Sequence, residues 1–460
     1  MPKAPPPNSC ATCLRRKLKC DGQRPVCRRC AVGSRECIRP GRVIRFVVNG
    51  SRSPTTSTVN SHASTFSPQI EAAEPESPTP SAPRASVSID RIESLAASDP
   101  TKALVDLEIA NLFAHYIAVL APWYDLNDPP RTFGTIVPET ALHMPILFKA
   151  IIAFSACHRN RINGSATEVA NVFHDACVGD LLQSMEVPDT RFKGSNLAAT
   201  CLLRSYEIIN GGTQIQSHLL GAYSYATSEA IDFSEPGMLQ TGAWNYLREE
   251  ITVGLIQRRG VRMGQIFDGH LQRGPHKIHP SDSITYLLAQ IINFCFPDPS
   301  LQTSLQDRHT LWRSIHADFM AWKADLPSTF EPFSLAAKPG NPFPSLWMLR
   351  PWHVAAQQYR AVAEIMLALY DPCPTGGHLG PRSFRFAEEQ ALDICGLAWT
   401  NEDDSARVNA FGPLAFCGRY LSLRHHQKEL EEYLLQSSRA TGWPVNDIVK
   451  DLQVHWAAGY

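Results

Sequence analysis

The feature that most constrains this chain is a repeat of six cysteines near its N-terminus. Each half has the pattern Cys-x-x-Cys-x6-Cys, and the second half begins seventeen residues after the first. The repeat consists of Cys10, Cys13, Cys20, Cys27, Cys30 and Cys37. A segment this short cannot bury enough apolar surface to fold unaided, so the cysteines must hold it together.

Zinc suits such a segment, because it takes four ligands in a tetrahedron and binds thiolate sulfur well. Six thiolates satisfy two zinc ions if two of the six bridge both metals. The internal repeat favours this sharing, since each half offers three sulfurs and needs a fourth. The free energy of metal binding then supplies the free energy of folding.

Six cysteines in a short module are also the number needed for three disulfides. Disulfides require an oxidising compartment. The segment Met1–Pro7 has no apolar stretch of the kind found in secretory signals, so we expect no secretion. The spacing therefore favours the metal over the disulfide alternative.

The cysteine repeat lies in a strongly basic segment. Residues 1–46 contain twelve basic side chains but only two acidic ones, Asp21 and Glu36. The rest of the chain has thirty-one basic and forty-two acidic residues, so the total charge of −1 hides an uneven distribution. A basic run alone would indicate a solvated surface or a nuclear import signal. Inside a rigid metal-folded module it indicates binding to nucleic-acid phosphates.

The cysteine spacing resembles that of the fungal zinc binuclear cluster transcription factors, the Zn2Cys6 family. The resemblance implies two zinc ions bridged by Cys10 and Cys27, and a short helix after each Cys-x-x-Cys. It implies that the first helix enters the major groove of double-stranded DNA in the nucleus, where Arg16 and Lys17 read CGG-like triplets. The candidates for phosphate contacts, which position the protein without specifying sequence, are Arg15, Lys19, Arg24 and Arg28.

Composition divides the remaining chain. Residues 1–9 form a proline-rich lead-in before the zinc module at 10–38. Residues 39–100 are predicted to be an arm followed by a disordered linker, because seven prolines and many Ser and Thr lie between 51 and 100. Residues 101–460 are long enough for a substantial core.

The linker lacks the sustained heptad repeat through which many members of the family dimerise. The segment most similar to a heptad repeat is Val87–Ala97, which spans barely three helical turns. The sequence therefore leaves two alternatives open: the protein binds DNA as a monomer, or it forms a homodimer through 101–460.

Residues 101–460 show helical periodicity and almost no strand alternation. Helices are predicted near 109–120, 147–152, 167–186, 196–209, 214–231, 238–258, 282–295, 312–322, 359–369, 384–399, 410–436 and 445–457. No apolar run approaches the roughly twenty residues of a membrane helix, so we expect no membrane association. The predicted fold class is a small zinc-stabilised binuclear cluster module plus a large all-α domain, joined by a disordered linker.

The helical part resembles the fungal-specific transcription factor domain. The resemblance rests on Leu120–Leu126, on Phe148–Ala156 with His158, and on Trp244–Glu250. It implies a regulatory role, and whether the domain binds a small-molecule inducer or a coregulator protein stays open.

Within Trp244–Glu250 and just after it, the helical spacing of Trp244, Leu247 and Ile251 predicts core positions. Arg248 and Glu249 are predicted to form a structural ion pair or part of the helix surface, not a site.

The seven cysteines outside the repeat are predicted to be buried structural residues. They are Cys157, Cys177, Cys201, Cys295, Cys373, Cys395 and Cys417. Cys157 and His158, taken with His174 and Cys177, match no zinc spacing.

Motifs for phosphate loops, dinucleotide binding, serine nucleophiles and zinc proteases are absent from the sequence, so an enzyme is not expected. The sequence thus predicts a zinc-dependent, sequence-specific regulator of RNA polymerase II genes. The alternative is a zinc-folded interaction or ligand-sensing module without specific DNA readout.

Overall fold

The computed structural model describes residues 28–32, 89–164, 167–186, 193–212, 217–218, 221–222, 237–262, 279–297, 304–372 and 381–458. The chain divides into two compact units, Met1–Ala82 and Pro83–Tyr460. The first unit contributes one described helix, α1, at Arg28–Val32.

The second unit is built from helices. They are α2 (Ile89–Ala97), α3 (Pro100–Ala103), α4 (Leu107–His115), α5 (Ala121–Tyr124), α6 (Ile136–Ala141), α7 (Pro145–Asn163), α8 (Thr167–Glu186), α9 (Lys193–Gly211), α10 (Met238–Gln257), α11 (Pro280–Cys295), α12 (Leu305–Ala324), α13 (Pro351–Leu369), α14 (Pro381–Thr400), α15 (Asp404–Cys417), α16 (Arg424–Thr441) and α17 (Asn446–Ala458). Among the described residues of this unit, the sole β pairing is an isolated bridge between Ser334 and Trp347. The predicted all-α character is therefore confirmed for the described residues. None of the described helices is long and apolar enough to cross a membrane.

Helix α10 lies in the middle of the packing. It contacts α9, α11 and α15, while α13 packs against α11, α14 and α15, and α7 packs against α8 and α9. The predicted core positions Trp244, Leu247 and Ile251 are buried on α10, as expected. Asn245 and Arg248 of the same helix are also buried, which brings polar groups into the interior of the second unit.

The helical body begins earlier than composition predicts. The proline-rich linker is expected to extend to Pro100, but α2 forms within it and packs against α8. Ile92 and Ala96 of α2 are buried in the main hydrophobic core. An apolar face that is already covered in this way is not available for a coiled coil.

The apolar stripe before Pro122 predicts a helix end there, but the chain stays helical. Tyr116–Leu120 forms a π-helical turn, and α5 then runs through Pro122 to Tyr124. Pro122 is tolerated because it directly follows the π turn, where the regular hydrogen-bond pattern is interrupted: the N–H of Ala121 donates to the carbonyl oxygen of Tyr116, five residues back. The Tyr116 hydroxyl donates to the carbonyl oxygen of Phe133 at 2.9 Å and anchors the π turn.

The predicted single helix at 410–436 is wrong. Helix α15 ends at Cys417, a 3₁₀ turn covers Gly418–Tyr420, and α16 starts at Arg424. A Cβ atom at Gly418 would lie 2.6 Å from the side chain of Leu430, so glycine allows α16 to fold back closely over this turn. Periodicity missed the break because apolar residues continue through it.

A second close approach occurs at Gly396, where α14 packs directly against the backbone of Pro344. A Cβ atom added to Gly396 would lie well inside van der Waals contact of the Pro344 carbonyl oxygen. We expect Gly396→Ala to lower the free energy of unfolding by about 3 kcal/mol, because a backbone cannot move aside as a flexible side chain can. Chemical denaturation of the full chain measures this change.

Gly179→Ala is the matched control, because Gly179 is an exposed glycine in α8 with nothing within 4 Å of its added Cβ. Alanine favours a helix over glycine by about 1 kcal/mol, so this variant should be more stable than the original. Similar stabilities for the two variants would show that the contact at Pro344 is not tight.

Candidate zinc module and buried polar cluster

The described part of the cysteine repeat is α1, which begins inside the second Cys-x-x-Cys pair. Its Cys30 is buried, with 2% of its surface exposed, whereas Arg28 and Val32 are exposed. A buried thiol in a segment too short for a hydrophobic core fits a metal ligand better than a surface cysteine. An outward-facing Arg28 fits the predicted phosphate contact.

The other predicted site residues of this module lie outside the described residues, and their roles stay predictions. They are the metal ligands Cys10, Cys13, Cys20, Cys27 and Cys37, the base contacts Arg16 and Lys17, and the phosphate contacts Arg15, Lys19 and Arg24.

The cysteines of the helical body are structural, as predicted. Cys157, Cys177, Cys201, Cys295, Cys395 and Cys417 are buried, and Cys373 lies outside the described residues. Burial raises the pKa of the Cys157 thiol to about 12, which keeps the thiol protonated. The described residues contain no group of three His, Cys, Asp or Glu side chains able to hold a metal ion.

A buried polar cluster lies where α5, α9 and α10 meet. The Tyr124 hydroxyl donates to the Ser205 hydroxyl at 2.6 Å, and Ser205 in turn donates to a carboxylate oxygen of Glu249 at 3.3 Å. Burial raises the pKa of Glu249 to about 7. This carboxyl group therefore changes its charge near neutral pH.

Arg248 extends the cluster, and its position and contacts differ from those predicted from the sequence. Its Nη2 donates to the carbonyl oxygen of Tyr124 at 3.0 Å and to the side-chain oxygen of Asn245. Adjacent residues point to different sides of a helix, so Arg248 and Glu249 do not pair. The predicted surface position is wrong, because Arg248 is only 7% exposed. The predicted ion pair is not formed either, since Arg248 makes no salt bridge with a carboxylate of the described residues.

A second acidic group lies near Arg248 on α11. Burial raises the pKa of Asp282 to about 7, and the Asn127 amide donates to its carboxylate at 3.5 Å. Arg248 partly opposes this rise through its positive charge. Burial also lowers the pKa of Arg248 itself, though its guanidinium stays charged near neutral pH.

Two family models match the chain. Residues 8–43 match the fungal Zn(2)-Cys(6) binuclear cluster domain, and residues 111–232 match the fungal specific transcription factor domain. In these two segments the chain therefore matches the domains of a Zn2Cys6 transcription factor. Two zinc ions held by cysteines are implied by the first domain, and neither family is enzymatic. The predicted resemblance is confirmed.

One curated relative illustrates how local the similarity is. Over 50 residues the chain is 56% identical to the transcription activator AMTR1 of Alternaria alternata. The matched segment covers 11% of this chain and 6% of that protein. No solved structure shows significant similarity to the chain.

Proposed function

We propose that this protein is a nuclear, zinc-dependent regulator of RNA polymerase II transcription that binds specific double-stranded DNA. The observation that carries the proposal is the six-cysteine repeat within a basic segment, matched as a Zn(2)-Cys(6) domain. Sequence identity of 56% with a transcription activator over 50 residues supports the same function.

Within this proposal each zinc ion has four thiolate ligands. One ion takes Cys10, Cys13, Cys20 and Cys27, and the other takes Cys10, Cys27, Cys30 and Cys37. The two metals fold the module, and the first basic helix then enters the major groove. There Arg16 and Lys17 donate to guanine O6 and N7 in CGG-like triplets.

The helical body is proposed to regulate the zinc module. The covered apolar face of α2 argues against a homodimer contact through this helix. The protein therefore either binds DNA as a monomer or dimerises through a surface of the helical body. In the second case that surface sets the half-site spacing on DNA.

Binding-site selection with the full-length protein tests the function. The zinc-loaded protein is incubated with a random duplex library at a stated salt concentration, and a chelator-treated sample is the control. One enriched CGG-like triplet indicates a monomer, and two triplets at fixed spacing indicate a dimer. No enrichment despite two bound zinc ions would refute DNA readout and leave a zinc-folded interaction or ligand-sensing module.

A further inference from the structure

A small cavity lies among α5, α9, α10 and α15, with Trp443 also on its wall. Its volume is about 50 Å³. One water molecule needs about 10–15 Å³ by the same measure. The cavity therefore has room for roughly three to five atoms of the size of oxygen.

Four buried nitrogen atoms on the cavity-lining residues have no hydrogen-bond acceptor among the residues that the structure describes. They are Trp123 Nε1, Arg248 Nη1, Asn409 Nδ2 and Trp443 Nε1. Each of these side chains is more than nine-tenths buried. Buried donors without a partner are costly, so four of them around one cavity point to a bound group that accepts hydrogen bonds.

Neighbouring contacts fix these donors in place. The Tyr359 hydroxyl donates to the side-chain oxygen of Asn409 at 2.9 Å, which orients the amide and leaves its nitrogen without a partner. The Trp443 ring stacks on Phe411 with 5.7 Å between ring centroids. A preorganised set of donors loses little freedom when a ligand binds.

The charge of the site indicates an anion. Arg248 is buried, yet it forms no ion pair with any carboxylate of the described residues. Buried charges in proteins are normally paired, because removing an isolated ion from water is costly. The nearby Asp282 supplies only part of a counter-charge, because burial raises its pKa to about 7, and an anionic ligand would supply the rest.

We propose that this cavity binds a small carboxylate anion of about three to five non-hydrogen atoms. The two oxygens of one carboxylate offer about four lone-pair sites, which matches the four unpartnered nitrogen atoms. Acetate, with four non-hydrogen atoms, is the simplest probe. Because all the residues belong to the helical body, this proposal does not depend on DNA binding.

Glu249 makes the proposed binding dependent on pH. It lines the cavity, and its pKa of about 7 means that it is neutral below this pH and negative above it. The charged groups that act on it are Arg204 and Glu207 of α9 and Arg248 of its own helix. A negative Glu249 repels the anion, so affinity should fall as pH rises from 6 to 8.

The test is calorimetric titration of the full-length, zinc-loaded protein with sodium acetate at constant ionic strength. Acetamide is the matched probe, because it has the same size and shape without the charge. We expect saturable acetate binding that is up to about tenfold weaker at pH 8 than at pH 6, and no acetamide binding. If neither compound binds at either pH, the proposal is wrong. If both bind equally well, the ligand need not be an anion.

Conservative variants locate the site. Trp123→Phe and Trp443→Phe keep the aromatic packing and remove one donor each, so each should weaken acetate binding about tenfold. Trp312→Phe is the control, because Trp312 Nε1 also lacks a partner but does not line the cavity. Equal effects of all three variants would place acetate elsewhere and refute the site.

Discussion

Replacing Cys30 with serine is expected to abolish zinc-dependent recognition of DNA. Cys30 is buried. Its module is too short to bury a sufficient hydrophobic core, so we expect its folding to rely on the metal. Structural zinc contributes on the order of 10–16 kcal/mol to the folding of such modules. The affinity for a selected site should therefore fall to the sequence-independent level, by roughly 10³-fold or more.

Two measurements on the Cys30→Ser protein separate metal loss from general unfolding. Native mass spectrometry counts zinc ions per chain, and fluorescence anisotropy measures affinity for the selected duplex. Cys157→Ala is the control, because Cys157 is a buried cysteine of the helical body and should leave two zinc ions in place. A Cys30→Ser protein with two zinc ions and normal affinity would remove Cys30 from the ligand set.

Cys10→Ala tests the bridging arrangement with the same two measurements. A bridging thiolate serves both metals, so its loss should remove both zinc ions and all specific affinity. Zinc-dependent affinity that survives in this variant would show that Cys10 does not bridge.

The helical body could be predicted well from the sequence wherever one helix face is apolar. The spacing at 167–186 predicts α8 with the bounds that the structure shows, and Trp244 and Leu247 are core residues as expected. Prediction failed at Gly418, because the contact that breaks the helix there is with Leu430, on a different helix. Periodicity records which face is apolar but not where the chain turns back.

The two candidate sites differ in how far the sequence reveals them. Zinc ligands lie close together in the chain, so their spacing alone predicts the metal. The cavity is lined by Trp123, Arg248, Asn409 and Trp443, which come from distant segments and share no motif. The sequence predicts Arg248 at the surface or in an ion pair, because neither periodicity nor composition shows that a charged side chain is buried without a direct ion-pair partner.

The second large effect is expected at the predicted base contacts. Changing Arg16 and Lys17 together to alanine should remove discrimination between the selected triplet and its variants. Each good bidentate contact to guanine contributes about 1–3 kcal/mol of discrimination. Loss of both should reduce the preference for the selected sequence roughly 30-fold to 10⁴-fold. Competition binding with matched and mutated duplexes measures this ratio.

Arg28→Ala distinguishes base reading from attraction to phosphate. Arg28 is exposed on α1 and is a predicted phosphate contact, so its loss should weaken binding to all duplexes by a similar factor. The slope of log affinity against log salt should also fall by about 1. Because the double variant changes sequence preference and Arg28→Ala does not, the pair separates the two kinds of contact. If the double variant keeps the original preference, other residues read the bases.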